Sequence, residues 1–227
     1  ETTAQLQQTD IFPSVKEAVP ATGKEGFAIE NKVKLTFHPD FANEAELLKE
    51  KLATIHGLEV VSEAPVTVYL DYLPERETAV NGEYYRIDTG NGLINISAST
   101  SHGIFNGTQT LLSLLKGQEK PFRLEALSIR DYPDLPYRGQ MLDIARNFTT
   151  VEHLKKLVDV ISSYKLNVLH FHFSDDEGWR LQIPGLVLKR RKFPRSDDMS
   201  PLPRSLRDRG RVGDELITAQ LLQVEDY

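Results

Sequence analysis

Between residues 170 and 180 the chain reads HFHFSDDEGWR, which brings together two histidines, three consecutive acids, the only tryptophan and an arginine. Such side chains support distinct chemistries. Carboxylates accept hydrogen bonds and hold or pass protons, and arginine donates in a planar fork that suits carboxylates and hydroxyl-rich ligands. Two histidines on one strand face, His170 and His172, with Asp175 as a third ligand, have the makings of a metal site. Upstream, LDIARN supplies a further cation, Arg146. Each residue also has a plain structural reading. Asp175 and Asp176 suit a helix N-cap or a loop, and the histidines suit buried polar packing. Trp179 suits a packing anchor, and Arg146 a surface cation.

The elements that position these residues are legible from periodicity. RGQMLDIAR, starting at Arg138, is apolar enough for a buried strand. TTVEHLKKLVDVISSYK is an amphipathic helix with Val151, Leu154, Leu157, Val158 and Ile161 on one face. Thr149 with Glu152 has the spacing of a capping box. NVLHFHFS is a second buried strand, which completes a βαβ unit of a parallel sheet. Along that strand His170 and His172 share a face, and Leu169, Phe171 and Phe173 take the other. Asp175 and Asp176 then fall just past its C-terminal end, the edge where α/β folds bind ligands. Arg146 holds the same place relative to the preceding strand. With the two strands as neighbours, Arg146 and Asp175 face one pocket.

The preceding chain has a different rhythm. Residues 1–25 are polar, contain Pro13 and Pro20, and read as an extended lead-in. KVKLTF and PVTVYL are strand-like, ANEAELLKEKLATIHG between them is helical, and Gly57 can cap it. YYRIDTGNGLINISAS is a hairpin signal, and SHGIFNGTQTLLSLL places Ile104, Thr108, Leu111, Leu112 and Leu115 at helical spacing. Residues 26–120 therefore form a small α+β domain, with 121–137 as a proline-punctuated linker.

Composition narrows the classes further. With 227 residues, 40% of them hydrophobic, the chain can bury a core; a net charge of -6 gives no general attraction to nucleic acid or anionic lipid. No apolar run is long enough to cross a bilayer. Without cysteine there is neither disulfide nor thiolate chemistry. Glu1 in place of Met hints at a removed leader, hence an expectation of an exported, periplasmic or extracellular protein.

RGQMLDIARNFTTVEHLKKLVDVISSYKLNVLHFHFSDDEGWRLQIPGL resembles the opening barrel segment of the retaining, substrate-assisted β-N-acetylhexosaminidases. The likeness combines an R-G-x-M-L-D-x-x-R strand with an H-x-H-x-x-D-D-x-G-W-R strand end, in order and at the family's separation. Residues 27–118, including the S-x-G-I-F-x-G-x-Q-T-L-L helix, are similar to the small domain that precedes the barrel. The resemblance implies a glycoside hydrolase acting on glycans that end in N-acetylglucosamine or N-acetylgalactosamine, with no cofactor and no metal. It implies that Arg146 binds the sugar's C3 and C4 hydroxyls and that Asp175 belongs to a relay supporting the catalytic acid. In the family's reaction the 2-acetamido oxygen attacks C1, an aspartate orients it, and a neighbouring glutamate protonates the leaving oxygen.

The fold expected is thus an α+β N-terminal domain followed by the opening βαβ segment, residues 138–186, of an incomplete (β/α)8 barrel. The H-x-G-G-D-E segment carrying the family's Asp-Glu pair does not occur in the sequence, and a whole barrel takes roughly 250 residues. A truncated, inactive polypeptide is the expectation. Residues 187–227 are rich in Arg and Pro and depart from the family pattern, which fits either a shifted reading frame or a genuine basic tail; the run Lys189 to Arg211 lacks the interleaved aromatics of nucleic-acid binders. An exposed half-barrel edge would call for a homodimer or a disordered C-terminal part. Two other functions stay open: a non-catalytic carbohydrate-binding or interaction module, and a metal-dependent hydrolase using His170 and His172.

Overall fold

Strand formation begins with local signals. The computed structural model describes residues 11–75, 77–175 and 178–179. The readings made above for Asp176, Glu177, the Trp179 side chain and residues 187–227 lie outside the described residues. In chain order the elements are β1 (Glu17–Pro20), β2 (Phe27–Ile29), β3 (Lys32–Phe37), α1 (Ala42–His56), β4 (Glu59–Val61), β5 (Thr67–Tyr72), β6 (Tyr85–Gly90) and β7 (Leu93–Ala98). They continue with α2 (Ser101–Leu115), β8 (Phe122–Leu124), β9 (Leu127–Asp131), β10 (Gly139–Asp143), α3 (Val151–Ser163), β11 (Val168–His172), β12 (Ser174–Asp175) and β13 (Gly178–Trp179). They divide into two compact units, one comprising the chain to Arg138 with Val160–Leu166, the other Gly139–Asp159 with the chain from Asn167.

The first unit is a mixed seven-stranded sheet in the order β1-β9-β6-β7-β5-β3-β4. Its centre is the expected hairpin. β6 and β7 pair antiparallel up to Gly90 opposite Leu93, which leaves Asn91 and Gly92 as a two-residue turn, both at positive φ (53° and 78°). That geometry matches the strands' right-handed twist and is why Asn-Gly works there. β3 joins β5 in parallel across a connection that contains α1, and β5 joins β7 in parallel with β6 between them in sequence. α1 ends where expected, with Gly57 in the left-handed region and its N–H returned to Leu52 and Ala53.

α2 lies against β6 and β7 and packs on α1. Ile104, Thr108, Leu111, Leu112 and Leu115, the stripe read from spacing, are all buried. Gly103 and Gly107 permit the approach: a Cβ would meet the Tyr84 carbonyl oxygen at 2.5 Å in the first case and Ile96 Cγ2 at 2.5 Å in the second. The two glycines of the S-x-G-I-F-x-G motif are thus a contact surface. The core beneath gathers Ile87, Ile94 and Ile96 from the hairpin, Leu48 and Leu52 from α1, and Ile129 from β9.

Two boundaries differ from the reading of the sequence. The lead-in of residues 1–25 contains β1, which pairs with β9 (Glu17 opposite Arg130, Pro20 opposite Leu127). The linker of residues 121–137 contains β8 and β9, so the α+β domain extends beyond residues 26–120 on both sides. Glu-Ala-Val-Pro is not periodic and Leu-Ser-Ile-Arg-Asp alternates over only five residues; each is a strand because the other, or β6, supplies the ladder.

In the second unit β10 and β11 pair in parallel, Gly139 opposite Val168 through Asp143 opposite His172, with α3 between them in sequence. This is the expected βαβ unit. Its helix begins at Val151, one residue later than the capping-box reading: Thr150, not Thr149, accepts the His153 N–H at 3.3 Å. The strands are also less buried than expected. Gly139, Gln140 and Met141 are exposed, Met141 at 55%. Among the described residues β10 and β11 have only each other as ladder partners, and a parallel strand is buried only by neighbours and by layers on both faces. No described helix is long and apolar enough to cross a membrane.

Candidate functional site

Asp143 closes β10 and folds back on its own turn. Its Oδ1 accepts the Arg146 backbone N–H at 2.9 Å, and its Oδ2 lies 3.4 Å from the Arg146 guanidinium. An aspartate suits this place because its short carboxylate can cap a turn three residues on. The turn is tied to the neighbouring strand as well. Ile144 and Ala145 both donate their N–H groups to the carbonyl of His172, at 3.2 and 3.0 Å. Arg146 is therefore fixed by β10 and by the last residue of β11.

Past β11 the chain turns into a short pairing of β12 with β13, in which Asp175 opposes Gly178. Asp175 Oδ2 lies 2.6 Å from an Arg146 guanidinium nitrogen and 2.8 Å from His172 Nε2. One carboxylate oxygen is thus shared by a guanidinium and an imidazole. A charge-assisted pair at this distance is among the stronger polar contacts a protein makes. The Asp175 side chain is 17% exposed and that of Arg146 is 56% exposed, so the carboxylate is sheltered and the cation is open to solvent. That division suits a ligand that touches arginine directly and is influenced by aspartate at one remove.

The structure therefore brings Arg146 and Asp175 together at adjacent strand ends, as their spacing predicted. His172 and Asp143 join them, and neither was assigned this place from sequence. A signal for Asp143 was present in D-I-A-R, where an acid stands three residues ahead of an arginine at a strand end. From sequence His172 reads as buried polar packing or as a metal ligand with His170. In the structure its Nε2 faces the Asp175 carboxylate, and His170 is exposed. Among the described residues no group of three or more His, Asp or Glu side chains is arranged to hold a metal ion.

Comparison with known proteins gives the family of the chain. Residues 8–132 match glycosyl hydrolase family 20, domain 2, and residues 135–195 match the catalytic domain of the same family. The chain belongs to glycosyl hydrolase family 20. Relatives within family 20 include an N,N'-diacetylchitobiase of Vibrio harveyi, 38% identical over 137 residues, spanning 59% of this chain and 15% of the relative. A beta-hexosaminidase of Porphyromonas gingivalis is 32% identical over 166 residues, spanning 66% of this chain and 20% of the relative. The solved family 20 exo beta-N-acetylglucosaminidase from Vibrio harveyi in complex with N-acetylglucosamine matches 78% of this chain and 27% of its own, at 33% identity and a TM-score of 0.65. The family 20 beta-N-acetylhexosaminidase of Streptomyces coelicolor matches 78% and 37%, at 28% identity and a TM-score of 0.62.

The chain thus spans 15% and 20% of the first two curated relatives. Family 20 assigns residues 8–132 to the N-terminal accessory domain and residues 135–195 to part of the catalytic domain; the described strands of that part form no closed barrel.

Proposed function

We propose that the chain supplies the accessory domain and the opening module of a β-N-acetylhexosaminidase, a glycoside hydrolase that removes terminal N-acetylglucosamine or N-acetylgalactosamine from glycans. Arg146 and Asp175 are its contribution to the sugar site. The observation that carries this reading is the 2.6 Å contact between them at the C-terminal ends of paired parallel strands.

Arg146 is the sugar-binding group. Its guanidinium is open to solvent, oriented by Asp143 and Asp175, and chemically matched to adjacent hydroxyls, which accept from its fork of N–H donors. Asp175 is a positioning residue. It holds the guanidinium in place and offers a sheltered carboxylate next to His172, which suits a hydrogen-bonded relay toward a catalytic acid. The acid and the carboxylate that orients the acetamido group have no counterpart in an H-x-G-G-D-E segment of these 227 residues. The polypeptide alone is therefore a binder and not a catalyst.

The test pairs two measurements on the 227-residue chain. Incubation with a chromogenic N-acetylglucosaminide is expected to release no chromophore, and turnover would overturn the assignment of the chain as non-catalytic. Titration with N-acetylglucosamine to about 100 mM, followed by amide NMR, is expected to shift Arg146 and Asp175 and to leave them unmoved in Arg146→Ala. Unmoved amides in the unsubstituted protein would overturn the sugar-binding role.

A further inference from the structure

The first unit holds a cavity of about 270 Å³ whose wall includes Lys165, Asp131, Tyr85, Asn106, Arg138 and Lys16. Every lining residue belongs to that unit, because Val160–Leu166 is part of it. The floor is an organised polar set. Lys165 Nζ donates to the Tyr85 hydroxyl at 2.7 Å and to Asp131 Oδ2 at 3.0 Å. Tyr85 in turn donates to Asp131 at 2.8 Å and shares a 2.6 Å hydrogen bond with Thr110. The Asn106 amide nitrogen donates to Glu83 at 3.1 Å.

Two polar valences of this floor are unspent. An ammonium group has three N–H donors, and the protein takes two from Lys165. The Asn106 amide group is 5% exposed as a residue, and its oxygen accepts no hydrogen bond from the described protein groups. Both groups line the cavity and can take a further partner from within it. The charges on the wall, by contrast, are matched. Lys16 pairs with Asp134, Arg138 with Glu83 and Lys165 with Asp131. Burial also lowers the Lys165 pKa despite its aspartate partner, which weakens the pull on an anion. Pro13, Pro133 and Tyr164 supply apolar wall.

We propose that this cavity is a second ligand site, separate from Arg146 and Asp175, that takes one neutral polyhydroxy molecule of monosaccharide size. One hydroxyl accepts from Lys165 Nζ and another donates to the Asn106 amide oxygen, while the ring's apolar edge meets proline and tyrosine. The matched charges disfavour a carboxylate or phosphate. The volume, just under the usual range for small-molecule sites, suits a single sugar ring and not an oligosaccharide. The site would belong to the first compact unit as a whole, since its wall joins Tyr85, Asn106 and Asp131 of the domain 2 match to Arg138, Tyr164 and Lys165 of the catalytic-domain match. It does not depend on the function proposed for Arg146.

The probes are D-glucose, N-acetylglucosamine and, as the anionic control, sodium acetate, each titrated to about 100 mM into the full chain with amide NMR as readout. Saturable shifts are expected at residues 14–16, 106, 131, 132, 134, 164 and 165 with either sugar, and not with acetate. They should persist in Arg146→Ala. Ser14, exposed on the rim, tolerates a bulky side chain without disturbing the core, and Ser14→Trp should abolish the shifts. Asn106→Leu should weaken binding roughly fivefold or more. Absence of saturable shifts at these amides, an equal response to acetate, or shifts that survive Ser14→Trp would each overturn the proposal. Sugar shifts confined to Arg146 and Asp175 would overturn it too, while upholding the function proposed above.

Discussion

Arg146, in the turn after β10, and Asp175, in β12 just past β11, meet at 2.6 Å, and His172 reaches the same carboxylate oxygen from 2.8 Å. The carboxylate is therefore a hub, and removing it frees the guanidinium on one side. In Asp175→Ala, N-acetylglucosamine binding at the Arg146 site is expected to weaken by about tenfold or more, since a hydrogen bond to a charged group contributes about 1.5–3 kcal/mol. Titration calorimetry or NMR checks this. Undiminished affinity would show that Asp143 alone orients the arginine.

Lys165 and Asp131 form a second ion pair, with side chains 11% and 10% exposed. Removing one member strands the other in a poorly solvated place, which typically costs about 3–5 kcal/mol. Lys165→Met is therefore expected to shift the urea midpoint strongly downward. The double change Lys165→Met with Asp131→Leu should lose less, because no buried charge is left over. A single variant as stable as the unsubstituted protein would refute a structural role for the pair.

The close approach of α2 to the hairpin makes a prediction about glycine. Alanine is the better helix former by about 1 kcal/mol in open surroundings. At Gly103, however, its Cβ would fall 2.5 Å from the Tyr84 carbonyl oxygen and 2.6 Å from Ala98 Cβ. Gly103→Ala should accordingly destabilise by about 1–3 kcal/mol, the usual cost of overpacking. Thermal unfolding measures it, and a stabilised variant would mean that the helix can move away.

Tyr84 gives a pH dependence of definite sign. Burial and its 2.6 Å hydrogen bond to Glu77 push its pKa from the ordinary 10.0 up to about 12. The folded phenol keeps its proton in a range where an unfolded one has lost it. Its contribution to stability is whole below about pH 10 and is lost as the pH rises through about 12. In Tyr84→Phe the decline between those values should be shallower by about 2 kcal/mol. Denaturant unfolding of both proteins across that range is the measurement. Parallel curves would remove Tyr84 as the source.

Much of the architecture was written in short stretches. Asn91-Gly92 specifies its hairpin turn because both positions take positive φ. The spacing of Ile104, Thr108, Leu111, Leu112 and Leu115 specifies a one-sided helix, and Gly57 ends α1 because it adopts the left-handed conformation at no steric cost. Arg146 and Asp175 were also legible, since strand-end positions in a βαβ unit converge on one edge. Each of these rests on forces acting within a few residues, or on the topology that local elements impose.

What local reasoning could not supply depends on partners distant in the chain. β1 is a strand because β9 lies beside it; without that ladder EAVP reads as an extended lead-in. Lys165 looks like the polar end of an amphipathic helix until Asp131 and Tyr85 surround its ammonium group. His172 looks like half of a metal pair until Asp175 meets its Nε2. The sequence by itself determined the three helices, the β6–β7 hairpin and the β10–β11 strands, because periodicity and turn chemistry are short-range. Only the tertiary structure decided which of them share a hydrogen bond, a buried charge or a cavity, because those contacts are set by packing between segments that no local pattern connects.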